Sequence, residues 1–420
     1  MNSSEIKHAT WIPSLYFAEG LPYMAVNVLS TIFYKSALGM DNDLIAFYTS
    51  SFYLPWLIKP LWSPITEMFK TSRFWITFCQ FFAGVLFGLI AYTIPCEGIV
   101  KYSLIVFWLA AFASATHDIA ADGFYIKALS TESQAFWVGI RNTFYRISMI
   151  FCQGGLVVLA GYLTECYGDV KFAWQIVFAI FGVLMALLAV YHYFMLPKNV
   201  ETERQKSTTN FFQPFIKFFQ KPDIWLIMAF LLLYRLSEAQ LSKISPLFLL
   251  DSHENGGLAL TQSELGLVNG TFGLIALILG GILGGIFISK KGLRKSLIIM
   301  ILALNLPDIF YAYMAALQTE NFAAVSSMVF IEQFGYGFGF TAYTVFMMQI
   351  SRGANSSSHY AVCTAFMAAG MMLPGMVSGW LQNMMGYTTF FIWVTVCALP
   401  SLLIALYMRK NNKILDQENA

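Results

Sequence analysis

The sequence predicts an all-α membrane protein with twelve transmembrane helices in two six-helix bundles. The 420-residue chain is 58% hydrophobic and only 11% charged, whereas about a quarter of the residues of a soluble protein are charged. Apolar stretches long enough to cross a hydrocarbon core of about 30 Å recur along the whole chain. One long polar connection divides these stretches six and six. The chain is therefore expected to be an integral membrane protein.

The twelve stretches are called spans 1 to 12, with predicted bounds 11–35, 43–66, 74–95, 102–122, 136–164, 172–196, 223–250, 261–289, 296–317, 323–350, 359–384 and 389–408. Span 1 carries Glu19 and Pro22 and shows no small-residue cleavage site, so it is interpreted as a permanent helix rather than a signal peptide. The connection 197–222 combines a charged, Ser/Thr-rich loop with an amphipathic segment for the membrane surface. The predicted domains are an N-terminal bundle (1–196), this cytoplasmic linker and a C-terminal bundle (223–420).

Basic residues predict the orientation of the chain. If both termini are cytoplasmic, 17 of the 25 Lys and Arg residues lie on the cytoplasmic side and three lie outside, as the positive-inside rule requires. The net charge is only +2 and the basic runs are short, which argues against a nucleic-acid partner. The six cysteines are scattered, without a CxxC pair or a nearby His cluster, so no metal and no cofactor is expected.

The two halves of the chain repeat one another. Span 1 starts near Trp11 and span 7 near Asp223, and a basic loop follows the second span of each half. The stretch Gly285-x-x-x-Ser289-Lys290-Lys291-Gly292-x-Arg294-Lys295 resembles the loop signature of the major facilitator superfamily, with Ser289 in place of the usual Asp. This resemblance implies the fold of two parallel repeats and a charge-paired cytoplasmic gate. The gating residues that it implies are Lys59, Glu67, Lys290 and Arg294. Alternatively, the basic residues only fix the topology.

A narrower resemblance begins after span 2. The stretch Lys59-x-x-Trp62-Ser63-Pro64-x-x-Glu67 resembles the AmpG-type muropeptide permeases and the related acetyl-coenzyme A transporters. Further matching motifs are Gly20-Leu21-Pro22, His117-Asp118-Ile119-x-x-Asp122, Tyr234-Arg235-x-x-Glu238, Pro374-Gly375-x-x-Ser378-Gly379-Trp380 and Gly386-Tyr387. His117 stands where this clade has Gln. The sequence of span 4 is more similar to the acetyl-coenzyme A branch, and the sequences of spans 7 and 8 are more similar to the muropeptide branch. Both substrates are therefore kept as alternatives.

Ionisable residues inside the spans are candidates for the transport chemistry, because a charge at the bilayer centre costs about 2.5–3.5 kcal/mol. In the superfamily fold, spans 1, 4, 7 and 10 line the central cavity, and all four carry such residues here. Proton coupling needs a buried carboxyl group that can load on one side and unload on the other. The candidates by residue type and depth are Glu19, Glu238, Asp308 and Glu332. Spacing does not rank them.

Aromatic and basic side chains of the same spans are candidates for the substrate site. Rings can stack on a sugar or a base, and Arg can pair with a carboxylate or phosphate. The predicted substrate-binding residues are Tyr16, Glu19, Tyr23, Arg146, Tyr234, Arg235, Glu332 and Tyr336. A static salt bridge between Arg235 and Glu238, at i,i+3, is the alternative for that pair, and lipid-facing packing is the alternative for the rings.

A second gating group is predicted near the cytoplasmic end of span 4. Asp118 and Asp122, at i,i+4, share a helix face, and Arg141 lies at a comparable depth on span 5. His117 titrates near neutral pH when exposed, and a structural role is its alternative. These four residues are predicted to act in the gate, or to form a helix-end cluster that reaches water.

The resemblance implies a proton-driven importer of anhydro-muropeptides in a bacterial inner membrane. Its partners would be a small-molecule substrate, protons and the lipid bilayer, and the chain is expected to be a monomer. One alternative is a transporter of acetyl-coenzyme A or another anionic conjugate. Another is a non-transporting membrane assembly factor, since a pigment-complex assembly family shares this fold. An enzyme is not expected, because the sequence has no His-x-x-x-His pair, no Gly-x-Ser-x-Gly elbow and no phosphate loop.

Overall fold

The computed structural model describes residues 3–198, 213–352 and 356–411. This part of the chain is almost entirely helical and contains no strand. Within it, eight helical stretches are long and apolar enough to cross a membrane, and the last of them, Ser358–Lys410, covers spans 11 and 12 together. Spans 1, 2 and 10 are also helical, in shorter or more polar pieces. The all-α membrane fold is confirmed, and the count of twelve spans stays a prediction.

Three of the first six spans begin at a polar cap, and several spans are interrupted. Thr71, Ser130 and Asp169 accept backbone N–H groups of spans 3, 5 and 6, which satisfies donors that a helix start leaves open. The helices are Ser3–Met24, Ala25–Leu29 and Ser30–Ser36 in span 1, Asn42–Ser51 and Leu54–Met68 in span 2, Ser72–Thr93, Ile99–Ala128, then Thr131–Ile150, Phe151–Leu156 and Val157–Tyr167 in span 5, and Val170–Met195. The short pieces Ala25–Leu29 and Phe151–Leu156 are π-helical.

The second six spans are interrupted more often. A short helix, Gln213–Phe219, lies in the predicted amphipathic segment, and its Phe218 is fully buried. The spans are Ile224–Leu233 with Leu236–Leu250, then Gln262–Leu265, the π-helical Gly266–Gly273 and Leu274–Lys291, then Leu293–Asn305, the 3₁₀ turn Leu306–Asp308 and Ile309–Leu317, then Phe322–Ser351, Ser356–Val396 and Ala398–Asn411. The helix Ser356–Val396 is kinked at Gly386, where φ is 72°, and this kink separates spans 11 and 12.

The chain forms two compact units. The first unit contains residues up to 39 and 61–198, and the second contains 40–60 and the described residues from 213 onward. The core of the first includes an edge-to-face pair of Trp11 and Phe124, with ring centroids 5.3 Å apart. The core of the second includes Phe230 against Phe346 at 4.5 Å.

The outer half of span 2 belongs to the second unit. Asn42–Ser51 packs on span 11, and this packing is called the outer seam. A Cβ on Gly379 would lie 2.4 Å from the carbonyl oxygen of Asn42, so only glycine allows the two backbones to come this close. The predicted domain bounds 1–196, 197–222 and 223–420 stay a prediction.

Candidate functional site

The buried ionisable residues lie next to interruptions in their helices. In span 7 the helix is broken at Tyr234 and Arg235, and in span 9 at Leu306–Asp308. Spans 1 and 5 carry π-helical turns shortly after Glu19 and Arg146. Such irregular turns free backbone groups and re-aim side chains, and in transporters they commonly mark binding sites.

Four of the predicted residues meet in the first unit around one arginine. Arg141 forms an ion pair with Asp122 at 3.0 Å and donates a hydrogen bond of 2.9 Å to the Tyr16 hydroxyl. The Tyr16 hydroxyl donates in turn to Asp122 at 3.1 Å. The guanidinium also lies 4.3 Å from the centroid of the Tyr16 ring. This closed triangle neutralises Asp122 and fixes the arginine.

Glu19 and Asp118 complete this group, which is called the first-unit cluster (Tyr16, Glu19, Asp118, Asp122 and Arg141). Glu19 is buried, and its electrostatic neighbours are Asp122, Asp118 and Arg141. The ion pair itself is partly open to solvent, with side-chain exposures of 23% for Arg141 and 39% for Asp122. The sequence placed Glu19 with the substrate and the aspartates with the gate, and the structure brings these residues together.

His117 lies in a buried chain of polar side chains from four spans. Its Nε2 is 2.8 Å from Gln80 Nε2, and Gln80 Oε1 is 2.8 Å from His192 Nδ1. Ser14 Oγ lies 3.0 Å from His192 Nε2. An amide nitrogen only donates and an amide oxygen only accepts, so this amide orientation makes His117 Nε2 an acceptor and His192 Nδ1 a donor. The chain links spans 1, 3, 4 and 6, and the sequence interpretation missed every member except His117.

The second unit brings together the other predicted acids. Arg235, Glu238, Asp308, Glu332 and Tyr336 form the second-unit cluster. Arg235 donates a 2.6 Å hydrogen bond to the Tyr336 hydroxyl, and its guanidinium lies 5.5 Å from the Tyr336 ring centroid. The side chains of all three acids are at most 5% exposed. Like Arg141, which donates to the Tyr16 hydroxyl, this arginine donates to a tyrosine hydroxyl, and it also interacts electrostatically with Glu238.

Glu332 is held by two neighbours. Gln333 Nε2 donates to its carboxylate at 3.0 and 3.3 Å, and the Tyr311 hydroxyl lies 3.5 Å from Oε2. Asp308 interacts electrostatically with Glu332 and Glu238. Among the described residues, no group of three His, Cys, Asp or Glu side chains is arranged to hold a metal ion. The acids are therefore close enough to influence one another without converging on a metal ligand geometry.

The remaining predicted substrate residues lie in different surroundings. Tyr234 is buried, donates a 2.7 Å hydrogen bond to the carbonyl of Gly339 and stacks on Tyr343 with centroids 4.9 Å apart. Tyr23 and Arg146 are half-buried. The hydroxyl and one ring face of Tyr234 are thus used in packing against span 10.

The predicted gate residues of the two basic loops also differ. Arg294 donates from Nε and a terminal nitrogen to the carbonyl of Arg409, at 3.1 and 2.6 Å, which caps the last turn of span 12. Lys290 is exposed and Lys59 half-buried. The side chain of Glu67 lies outside the described residues. Cation donors at a helix C-terminus are stabilising, so Arg294 has a structural task in this structure.

The outer seam carries a polar network that the sequence interpretation did not find. Asn42 Nδ2 donates to Gln382 at 2.9 Å and to the Tyr387 hydroxyl at 2.7 Å. The Tyr387 hydroxyl donates to Asp251 at 2.8 Å. Lower on the same seam, Lys243 Nζ lies 3.3 Å from Thr49 Oγ1. These bonds tie the start of span 2 to the end of span 7 and to spans 11 and 12.

A helical membrane fold with interrupted spans and clusters of buried charge is typical of a polytopic transporter. The sequence profile of the Major Facilitator Superfamily matches residues 14–373, and the chain belongs to this superfamily. The chain is 26% identical over 411 residues to the putative transporter AmpG 4 of Rickettsia felis, covering 94% of this chain and 95% of that protein. It is 25% identical to the anhydromuropeptide permease of Escherichia coli, covering 94% and 78% respectively.

Solved structures are similar in fold. The crystal structure of the nucleoside transporter NupG superposes with a TM-score of 0.71 at 16% sequence identity, covering 98% of this chain and 100% of that chain. The resemblance to the AmpG-type clade, drawn from motifs in spans 1, 2, 4, 7, 8 and 11, is confirmed by these comparisons. The protein is a multi-pass membrane protein of a transporter superfamily.

Proposed function

We propose that this protein is a proton-coupled secondary transporter that imports anhydro-muropeptides across a bacterial inner membrane, with both termini in the cytoplasm. Support for the substrate comes from the similarity to an anhydromuropeptide permease along 94% of the chain. Support for the coupling comes from one observation, the three carboxyl groups buried together in spans 7, 9 and 10. The protein works as a monomer in this proposal.

A proton is the coupling ion that best suits the second-unit cluster. Glu238, Asp308 and Glu332 influence one another electrostatically, so ionising all three at once is unfavourable. A cluster of this kind exchanges a proton readily when its surroundings change. Since no described group of three ligands is arranged for a metal ion, a proton fits this site better than a metal.

Two arginines provide the positive charge that a sugar-peptide with carboxylate groups requires. In this proposal Arg146 is the carboxylate-binding residue of the first unit and Arg235 that of the second, and Tyr23 and Tyr336 are the rings that can stack on sugars. Tyr16 is buried beneath the Arg141 guanidinium and holds that arginine in place. Glu19 and Glu332 complete the contacts, and Tyr234 supports the site from behind. Asp118, Asp122 and Arg141 of the first-unit cluster act in the gate, because the Arg141–Asp122 pair is partly exposed and can break and re-form without leaving a fully buried charge.

Uptake by cells tests this proposal. Labelled anhydro-muropeptide is offered to cells that lack their own permease and express this chain, with and without a protonophore. We expect uptake that collapses when the proton gradient is removed. Absence of uptake, with the protein shown to be folded in the membrane, would contradict the substrate assignment.

Acetyl-coenzyme A is offered in parallel to inverted vesicles from the same cells. This second substrate is included because the sequence of residues 118–123 resembles the acetyl-coenzyme A transporters more than the muropeptide permeases. We expect no uptake of it. Transport of acetyl-coenzyme A without transport of muropeptide would replace the substrate and leave the fold and the coupling argument standing.

A further inference from the structure

Span 9 is broken in its middle. The helix Leu293–Asn305 ends in the 3₁₀ turn Leu306–Asp308, and a new helix runs from Ile309 to Leu317. Pro307 causes the break, because proline has no N–H to donate and its ring clashes with the preceding turn. In a membrane a broken helix must satisfy its freed polar groups with other protein groups or with bound ions.

Three side-chain oxygens at this break have no hydrogen-bond partner among the described residues. They are Asn305 Oδ1 and both carboxyl oxygens of Asp308. Asn305 is 3% exposed and Asp308 is 1% exposed. An unpaired buried polar group is destabilising, and an unpaired ionised carboxylate is far more so. The surroundings of Asp308 therefore tolerate the protonated acid much better than the carboxylate.

The charged groups that face Asp308 act in the same direction. Glu332 of span 10 and Glu238 of span 7 are its electrostatic neighbours, and both are acids. Tyr311, one turn further along span 9, interacts with all three acids. The helix Ser356–Val396, which covers span 11 and the start of span 12, also packs against the break. It contains no Asp, Glu, Lys or Arg, and its one histidine is His359, near its start. Within the described part of the chain, the charged groups that act on Asp308 are the two acids of spans 7 and 10, whereas the Arg235 guanidinium acts on Glu238.

The break is in direct contact with span 10. A Cβ on Gly335 would lie 2.1 Å from the carbonyl oxygen of Ala303 and 3.2 Å from Pro307 Cγ. Glu332 lies one turn before Gly335, on the same helix. A displacement of span 10 along span 9 would therefore change the surroundings of Asp308 and Glu332 at once. This contact couples helix motion to the protonation of a carboxyl group.

We propose that Asp308 is the group that carries the coupling proton, and that the Pro307 break against Gly335 is the device that loads and unloads it. This inference rests on the proposed proton-coupled transport. The Asp308 carboxylate takes up one proton and becomes neutral, and in the other conformation it releases that proton to water and becomes a carboxylate again. Glu238 and Glu332 set the proton affinity through their charge, and Glu332 also contacts the substrate.

The transport test uses the full chain purified and reconstituted into liposomes. Accumulation driven by a proton gradient is compared with exchange of labelled for unlabelled anhydro-muropeptide without a gradient. We expect Asp308→Asn to lose accumulation and to keep exchange within about threefold of the unaltered protein. Asp308→Glu, which restores a carboxyl group, should recover accumulation. Glu254→Gln, in an exposed loop, is the matched control and should behave as the unaltered protein.

Loss of exchange together with accumulation in a folded, monodisperse Asp308→Asn protein would overturn the inference, since Asp308 would then act in substrate binding. Accumulation that persists in Asp308→Asn would overturn it as well. Both outcomes leave the proposed function standing, because the unaltered protein still transports.

A second measurement does not depend on the substrate. Infrared spectra of the purified protein recorded across a pH range should show a protonated carboxyl band that shifts in D₂O. The difference spectrum between the unaltered protein and Asp308→Asn should show one protonated carboxyl component that Asp308→Asn has lost, whereas Glu254→Gln should lose none. If the unaltered protein transports nothing and this pattern is still found, the proposed substrate fails and the proton site stands. A carboxyl band that is unchanged in Asp308→Asn contradicts the inference whether or not transport is observed.

Discussion

The first-unit cluster and the second-unit cluster each contain three acids and one arginine, yet they arrange them differently. The sets are Glu19, Asp118, Asp122 and Arg141 in the first unit and Glu238, Asp308, Glu332 and Arg235 in the second. In the first, the arginine pairs directly with an acid at 3.0 Å, and the pair is partly exposed. In the second, the arginine bonds a tyrosine hydroxyl at 2.6 Å, and all three acids are nearly inaccessible.

This difference separates two tasks that the same residue types can perform. A partly exposed ion pair has a small net energy, so it can break and re-form as a helix moves. A group of mutually interacting buried acids is stable only when at least some of its members hold protons. We therefore propose that the Arg141–Asp122 pair acts in the gate and that the second-unit cluster carries the coupling proton.

The largest effect is expected from closing the space at the span 9 break. Gly335→Ala would push a methyl group into the carbonyl of Ala303, and overpacking of this kind costs about 1–3 kcal/mol or more. We expect a lower melting temperature in detergent and a loss of proton-driven uptake. Gly88→Ala is the matched control, because a Cβ there meets nothing within 4 Å. If Gly335→Ala and Gly88→Ala had equal stability and equal uptake, the contact between Gly335 and the span 9 break would not be required for transport.

The next effect distinguishes the two arginines. Arg141→Gln removes the ion pair and the bond to Tyr16, and we expect it to destabilise the protein by about 1–2 kcal/mol, since the pair is partly solvated. Arg235→Gln should change the melting temperature less and should weaken substrate binding more. Thermal unfolding and substrate titration of both variants check this. If Arg235→Gln lowered the melting temperature more than Arg141→Gln and weakened substrate binding less, the roles proposed for the two arginines would be reversed.

A smaller effect is expected at the outer seam. Tyr387→Phe removes the hydroxyl that joins Asn42 to Asp251, at a cost of about 1 kcal/mol. We expect the outer seam to open to solvent more often. The reporter is a Ser50→Cys variant labelled with a membrane-impermeant thiol reagent. Cys96 and Cys166 are both exposed and are first replaced by Ser. The ratio of protons to substrate should not change. If this ratio changed, residues of the outer seam would also take part in proton coupling.

The smallest effect is expected for the predicted gate residue Arg294. Its two bonds to the exposed Arg409 carbonyl cap a helix end, and losing them in Arg294→Ala should cost less than about 0.5–1 kcal/mol. Transport should remain close to that of the unaltered protein, with Lys295→Ala, which is exposed, as the comparison. Abolished transport with unchanged melting would favour the gating role that the loop motif implies.

The spans themselves were predictable because lipid imposes long apolar helices. The predicted bounds 223–250 for span 7 differ by one residue from the structure, in which its helices start at Ile224 and end at Leu250. Membership of the two clusters was also predictable, since a charge inside an apolar stretch stands out. Pro307 in an apolar stretch is a readable signal for the break in span 9.

The arrangement inside the clusters was not predictable from spacing. Whether an arginine meets an acid or a tyrosine depends on which faces of neighbouring helices come together, and one sequence does not contain that. The break in span 7 at Tyr234 and Arg235 contains neither Pro nor Gly, so the sequence gives no signal for it. The Gln80–His192 link and the Asn42–Tyr387 bond join residues 112 and 345 positions apart, and only their polar type within apolar spans could have marked them.

Counting protons tests the central claim most directly. Purified protein in a weakly buffered solution with a pH-sensitive dye is mixed with anhydro-muropeptide, and the protons exchanged per substrate bound are measured for the unaltered protein, Asp308→Asn and Glu19→Gln. The account predicts that Asp308→Asn abolishes the proton exchange, whereas Glu19→Gln leaves the ratio unchanged even if its substrate affinity falls. Proton exchange that survives in Asp308→Asn and disappears in Glu19→Gln would place the coupling proton in the first unit and contradict the account.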